Sequence, residues 1–191
     1  MHKQILIRDI SEAYDILFYE LQNGFYVKAP GGVNIYSLLS DYCGIADSYI
    51  KEKIKTIFHN GNPVDHPEGV KLSEGSVCAI SGAMPGLVGA MMRMESPYAA
   101  MRMSITEHGG TVSSSTGEIY VRLKLFNVIL SDIGGNFVSS GAVFDLDDTI
   151  RIIKKIEISH GSPFSFTVDD IYLSSSDTGR LSEKKYLIKA V

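Results

Sequence analysis

Cysteine is scarce in this chain, with two in 191 residues, Cys43 and Cys78. Two thiols cannot build a disulfide framework. Both sit among apolar neighbours (SLLSDYCGI and SVCAIS), where a free cysteine behaves as a small hydrophobe. A reducing compartment, and so a cytoplasmic location, is the expectation. Positive charge is not in excess either: 18 Lys and Arg face 22 Asp and Glu, for a net charge of −4. Residues 1–103 and 104–191 each hold nine basic and eleven acidic residues. Neither part has the positive surplus that phosphate backbones reward, so nucleic acid is not an expected partner. Long hydrophobic runs are missing. The longest, VCAISGAMPGLVGAMM at residues 77–92, is broken by Pro85 and several glycines and is shorter than the ~20 residues of a membrane-spanning helix. The opening MHKQILIRDISE turns acidic after a few apolar residues and lacks the apolar region of a signal peptide. No membrane partner is expected. Motifs of catalysis are absent as well: there is no Gly-x-Ser-x-Gly, phosphate loop, Cys-x-x-Cys or His-Glu-x-x-His.

What is present is an ordinary globular composition, 45% hydrophobic and 21% charged. A chain of this length can bury about 70% of its unfolded surface, so it needs no metal staple. Residues 5–8 read as a short strand. Asn23-Gly24 between β-rich runs predicts a hairpin, with strands near 16–21 and 25–29; a helix over 12–21 is the alternative, since Ala13, Leu17, Glu20 and Leu21 suit one. Asn34 is a plausible N-cap for a helix over 35–42 that puts Leu38, Leu39 and Tyr42 on one side and stops at Gly44. A strand over 53–59 follows, with Lys51, Lys53 and Lys55 as a solvated strand face. Asn60-Gly61 and Asn62-Pro63 are turn signals, and Val77–Ile80 reads as a strand. Beyond the Gly/Ser/Thr-rich stretch at 104–117, the run EIYVRLKLF (118–126) alternates as a half-buried strand does. TIRIIKKI reads as a helix with Ile150, Ile153 and Ile156 as its stripe, and 164–168 and 186–190 as strands.

Six of the seven methionines lie in residues 82–103. Thioethers can hold Cu(I), but these are irregularly spaced, and methionine more often fills cores and interfaces. Gly86, Gly89 and Ala90 are small enough for another backbone to approach. Leu87, Met91, Met92 and Met94 could fill the gaps such an approach leaves. An apolar stretch of this kind predicts either an interface of a homo-oligomer (or with another protein) or a seam inside the chain.

Over roughly residues 14–82 the wording resembles a known family. VKAPGGVNIYSLLS (27–40) is similar to the strand–Pro/Gly–helix opening of the sulfur-carrier β-grasp proteins, such as the small subunit of molybdopterin synthase and the thiamin sulfur carrier. IFHNGNPVDHPEGVKLSEGSVCAIS (57–81) resembles their Asn-Gly turn, leucine, acidic residue, glycine and strand. The resemblance implies a ubiquitin-like β-grasp unit. Those carriers end in a free Gly-Gly carboxylate, whereas here the chain runs on for about a hundred residues. The nearest doublet, Gly109-Gly110, would need cleavage to act as a carrier tail. A β-grasp domain without the tail implies a binding or assembly module.

AVFDLDDTI (142–150) resembles the first motif of haloacid-dehalogenase-type phosphatases. That resemblance implies Asp145 as nucleophile and Asp147 as acid/base beside Mg²⁺. The motif stands near that family's N-terminus, whereas here only 42 residues follow Thr149. The same residues also read as a helix N-terminus, with Asp145 as cap and Asp148 three positions on. His59 and His66, flanking NGNPVD, could bind a metal but equally suit a strand end and a loop. The expectation is therefore an α+β fold: an N-terminal β-grasp-like unit with a Met-rich extension (1–103), a connection (104–117), and a β-rich unit with one or two helices (118–191). The expected role is a non-catalytic, self-associating module that needs no cofactor. A metal-dependent phosphatase and a carrier-like protein are the alternatives.

Overall fold

The computed structural model describes residues 2–107, 109 and 117–190. In chain order the strands and helices are β1 (Lys3–Ile7), α1 (Ser11–Glu20), β2 (Phe25–Pro30), α2 (Ile35–Ser37), α3 (Asp47–Lys53), β3 (Thr56–His59), β4 (Asn62–Val64), β5 (Val77–Ser81), α4 (Gly86–Met92), β6 (Glu118–Phe126), α5 (Asn127–Ser140), β7 (Ala142–Asp145), α6 (Leu146–His160), β8 (Ser165–Val168), β9 (Ile171–Ser174) and β10 (Lys185–Ala190). No helix among the described residues is long and apolar enough to cross a membrane.

The fold mixes helix and sheet, and it divides into two compact units that do not follow chain order. One comprises Met1–Tyr26 with Asp132–Val191, the other Val27–Ser131. The connection expected at 104–117 falls within the second unit, and most of it (108 and 110–116) lies outside the described residues. So does Gly110 of the supposed carrier doublet.

In the first unit β10 lies between β1, its parallel partner, and β7, its antiparallel one. β8 pairs antiparallel with β1 and with β9. The expected strand at 16–21 is helix α1, so the first hairpin does not form. Asn23-Gly24 instead ends the helix, both amides donating to Glu20 O. Spacing decides this over β-propensity: Ala13, Leu17 and Glu20 recur every three or four positions and all are buried. Helix α6 packs against α1, β10 and β7 and buries a stripe of Thr149, Ile152, Ile153 and Ile156. Its ends are as regular as its middle. Asp145 Oδ1 accepts from Asp148 N at 2.8 Å, and Gly161, with φ of +79°, closes the last turn onto Glu157 O.

The second unit has the strand order β4-β3-β5-β6-β2. β3 is antiparallel to β4 and β5, while β5 and β6 run parallel. Gly31 N donates to Gly117 O at 2.8 Å, so the end of β2 meets the start of β6 and these two are antiparallel. Asn60 (φ +49°) and Gly61 (φ +87°) both take left-handed conformations in the two-residue β3–β4 turn. That geometry is the reason Asn-Gly favours hairpins. Asn34 caps α2 by accepting from Ser37 N at 2.7 Å. The helix then widens into a π-helical turn at Leu38–Tyr42, closed by Cys43 N donating to Leu38 O. Leu38 and Leu39 are fully buried; Tyr42 is exposed. The lysines read as a strand face are on or beside helix α3, and β3 begins only at Thr56. Strand β6 alternates outward and inward along its whole length, with Ile119, Val121, Leu123 and Leu125 buried.

Candidate functional site

The segment from Gly82 to Glu107 holds the least regular described structure of the second unit, and it is fixed by one side chain. Arg102 is 2% exposed. Its guanidinium spans Asp65, with Nη2 to Oδ1 at 2.6 Å and Nη1 to Oδ2 at 3.2 Å. Its remaining hydrogens go to Met91 O (2.5 Å), Arg93 O (3.0 Å) and Thr106 Oγ1 (2.8 Å). A planar fork of five donors suits this work, because it can satisfy a carboxylate and several carbonyls at once. Further ties come from Met94 N to Lys55 O at 2.8 Å and Glu107 N to Pro63 O at 2.8 Å.

On this frame apolar groups face solvent. Leu87 and Val88 at the start of α4 are 65% and 66% exposed, and Tyr98, Met101, Met103 and Ile105 are exposed as well. Ala90, Met91, Met92 and Met94 are half-buried. Gly86 has open space around it, but Gly89 does not: a Cβ there would stand 2.3 Å from Met84 O. The small residue at 89 serves the chain's own backbone, whatever approaches from outside. Next to this segment, the outer face of β3, β5 and β6 carries an apolar groove of about 350 Å³ lined by Phe58, Ala79, Ser81, Met84, Phe126 and Asn127.

His59 and His66 do not come together. His66 is exposed on a loop. His59 is buried on β3, with Nε2 3.2 Å from both Ser76 Oγ and Asn60 Nδ2. Asn60 Oδ1 accepts from Val77 N, so the amide presents its NH₂ to the ring and Nε2 must accept. The proton then sits on Nδ1, 3.9 Å from Glu107 Oε2. Burial pushes the His59 pKa down from 6.5, and the Glu107 carboxylate opposes that shift. Ser76, His59 and Glu107 stand in the order of a nucleophile, a base and an acid. Ser76 is only 2% exposed, however, and its oxygen already accepts from Ser73 N. Ser76 and Asn60 brace the ring at Nε2, while Nδ1 makes no hydrogen bond.

Asp145 and Asp147 behave as a helix terminus. One Asp145 oxygen takes Asp148 N, and the other accepts from Tyr26 OH at 3.2 Å. Lys185 Nζ lies 4.1 Å above the Tyr26 ring. Asp147 is exposed. No three His, Cys, Asp or Glu side chains among the described residues are grouped to hold a metal. Burial raises the thiols of Cys43 and Cys78 to about 12, with Cys78 adding to the rise at Cys43. Neither supplies a thiolate at neutral pH.

Sequence reasoning marked the Met-rich stretch as the region to watch but missed Arg102, which organises it. No family model, curated protein or solved structure matches the chain.

Proposed function

We propose that this protein is a non-catalytic assembly module that pairs with a second copy of itself through the second unit, and that this unit is a rearranged β-grasp. From β2 through α2, β3, β4 and β5 the elements follow β-grasp order, starting from the second strand of the grasp hairpin. β6 takes the place of the hairpin's first strand, antiparallel to β2 and parallel to β5. The unit's own ends therefore fall where the hairpin turn would be. This part of the reading is fold-level analogy and supports a binding role only in general terms.

The observation that carries the proposal is the knob beside the groove. Leu87 and Val88 stand exposed at the start of a helix that follows Met84, and Met84 lines the apolar groove of Phe58, Ala79 and Phe126. A twofold axis near Met84 would let each copy's Leu87 and Val88 fill the other's groove, which is the reciprocity an isologous contact requires. Charge agrees with a like partner. The exposed ions within 82–107 are Arg93 and Glu95, one of each sign, so a like partner meets no net charge there. Because Arg102 pre-orders the segment, little ordering entropy is lost on docking.

Light scattering on purified protein tests the proposal. The wild type is expected as a dimer at tens of micromolar. Leu87→Asp with Val88→Asp should give monomers with unchanged circular dichroism and melting, since both side chains already face water. A strictly monomeric wild type would refute the proposal.

A further inference from the structure

A second hollow in the same unit, apart from the apolar groove, has a different chemistry. It holds about 240 Å³ and is lined by Tyr36, α3 and the residues after it (Ile50 to Lys55), the loop from Asp65 to Glu68, and Met94-Glu95. Its floor is apolar. Ile50 and Ile54 are 3% and 0% exposed, Pro67 is buried, and Tyr36 and Met94 are half-buried. Its rim is charged with both signs: Lys51 and Lys55 on one wall, Glu68 and Glu95 on the loops. Among the described residues these four form no ion pair with one another or with any other side chain. Lys55 Nζ is instead held at 3.0 Å by Lys51 O, at the end of α3.

The remaining wall is built at a cost. Glu95 takes φ of +54° without being a glycine, a conformation that persists only where its surroundings enforce it. Here the enforcement is visible. Glu95 N donates to Asp65 Oδ1 at 3.3 Å, Asp65 is clasped by buried Arg102, and Arg102 also holds Arg93 O. Buried Arg102 thus neutralises Asp65 and leaves Lys51, Lys55, Glu68 and Glu95 as the charges facing the hollow.

We propose that this hollow binds a small zwitterion with an apolar body, a free apolar α-amino acid being the simplest member of the class. Its volume equals that of about eight waters at ~30 Å³ each, which is the scale of a single amino acid. A carboxylate meets Lys51 and Lys55, an ammonium group meets Glu68 and Glu95, and the side chain lies on Ile50, Ile54, Pro67 and Met94. An apolar floor with a few convergent polar groups is the usual form of a small-molecule site. The site does not depend on dimer formation, since none of its residues lines the apolar groove.

Titration calorimetry with the full chain tests this, using L-phenylalanine, N-acetyl-L-phenylalanine and L-phenylalaninamide as probes. The free amino acid is expected to bind, and each blocked form to bind about tenfold more weakly, as the loss of one charge-assisted hydrogen bond implies. Lys51→Gln should remove the discrimination against the amide, and Glu68→Gln that against the N-acetyl form. Both residues are exposed, so both variants should fold as the wild type does. No heat with any probe, equal affinity for blocked and free forms, or discrimination that survives both substitutions would overturn the proposal.

Discussion

Glu20 in the first unit and Arg102 in the second are each 2% exposed, and each is met by opposite charge, yet they do different work. Glu20 closes α1 and is held by Arg151 (2.7 Å) and Lys155 (2.5 Å) from one face of α6. Both cations are themselves more than a third exposed. The pair joins two helices that hydrophobic stripes already bring together. Arg102 is different: three of its five bonds go to Met91 O, Arg93 O and Thr106 Oγ1, in a stretch with no sheet ladder of its own. A buried charge between regular elements adds to packing that exists without it. A buried charge inside irregular chain takes the place of secondary structure.

The largest effect should therefore come from Arg102. Arg102→Met leaves the half-buried Asp65 carboxylate without its partner and frees two carbonyls, at a cost of about 3 kcal/mol. In hydrogen exchange the amides of Met94 and Glu107 should lose protection, while β1 and β10 keep theirs. Glu20→Gln should cost less, about 1–3 kcal/mol in denaturant melts, because Arg151 and Lys155 can turn to water. If Glu20→Gln proved the more damaging of the two, the distinction drawn between the regions would fail.

Acid separates the two units by a different route. Burial disfavours the Glu20 carboxylate, but bonds from Lys155, Asn23 and Arg151 outweigh it and leave its pKa below 4.5. Its contribution to stability is present above that value and is lost as pH falls through the lowered one. For His59 the folded state resists a proton that the unfolded chain accepts near 6.5. Stability therefore declines as pH falls below 6.5 and stops declining at the lowered folded value. Acid should weaken the second unit first, seen as loss of protection around β3 and β5 while α1 and α6 remain protected. His59→Gln should flatten the decline between pH 6.5 and the lower value.

The smallest expected effect is at the N-terminus of α6. Asparagine caps about as well as aspartate, so Asp145→Asn should change stability by less than ~0.5 kcal/mol. A loss of several kcal/mol would mean that the contact with Tyr26 carries more than the cap does.

These regions also differ in how much the sequence discloses. The features of the second unit set by neighbours in the chain were readable: the Asn60-Gly61 turn, the Asn34 cap and the alternation of β6. So was the Asp145 cap in the first. Where β-propensity competed with helical spacing, at residues 16–21, the hairpin reading failed. The deciding contact, with α6, lies more than a hundred residues away. Arg102 was invisible for the same reason. Its partner Asp65 is 37 residues earlier, and nothing in AAMRMSIT distinguishes a buried arginine from a solvated one. The return of β6 to pair with β2 is equally non-local, and so is the return of β10 and α6 to β1 and α1, which is why the first unit is discontinuous in the chain.

The central claim is that a second copy docks with Leu87 and Val88 in the groove lined by Ala79, and disulfide trapping between copies tests it most directly. Leu87→Cys protein mixed with Ala79→Cys protein, under mild oxidation, should yield a covalent pair joining one of each; the native thiols of Cys43 and Cys78, raised to about 12, should not react. A mixture that stays uncross-linked and sediments as monomer would contradict the account.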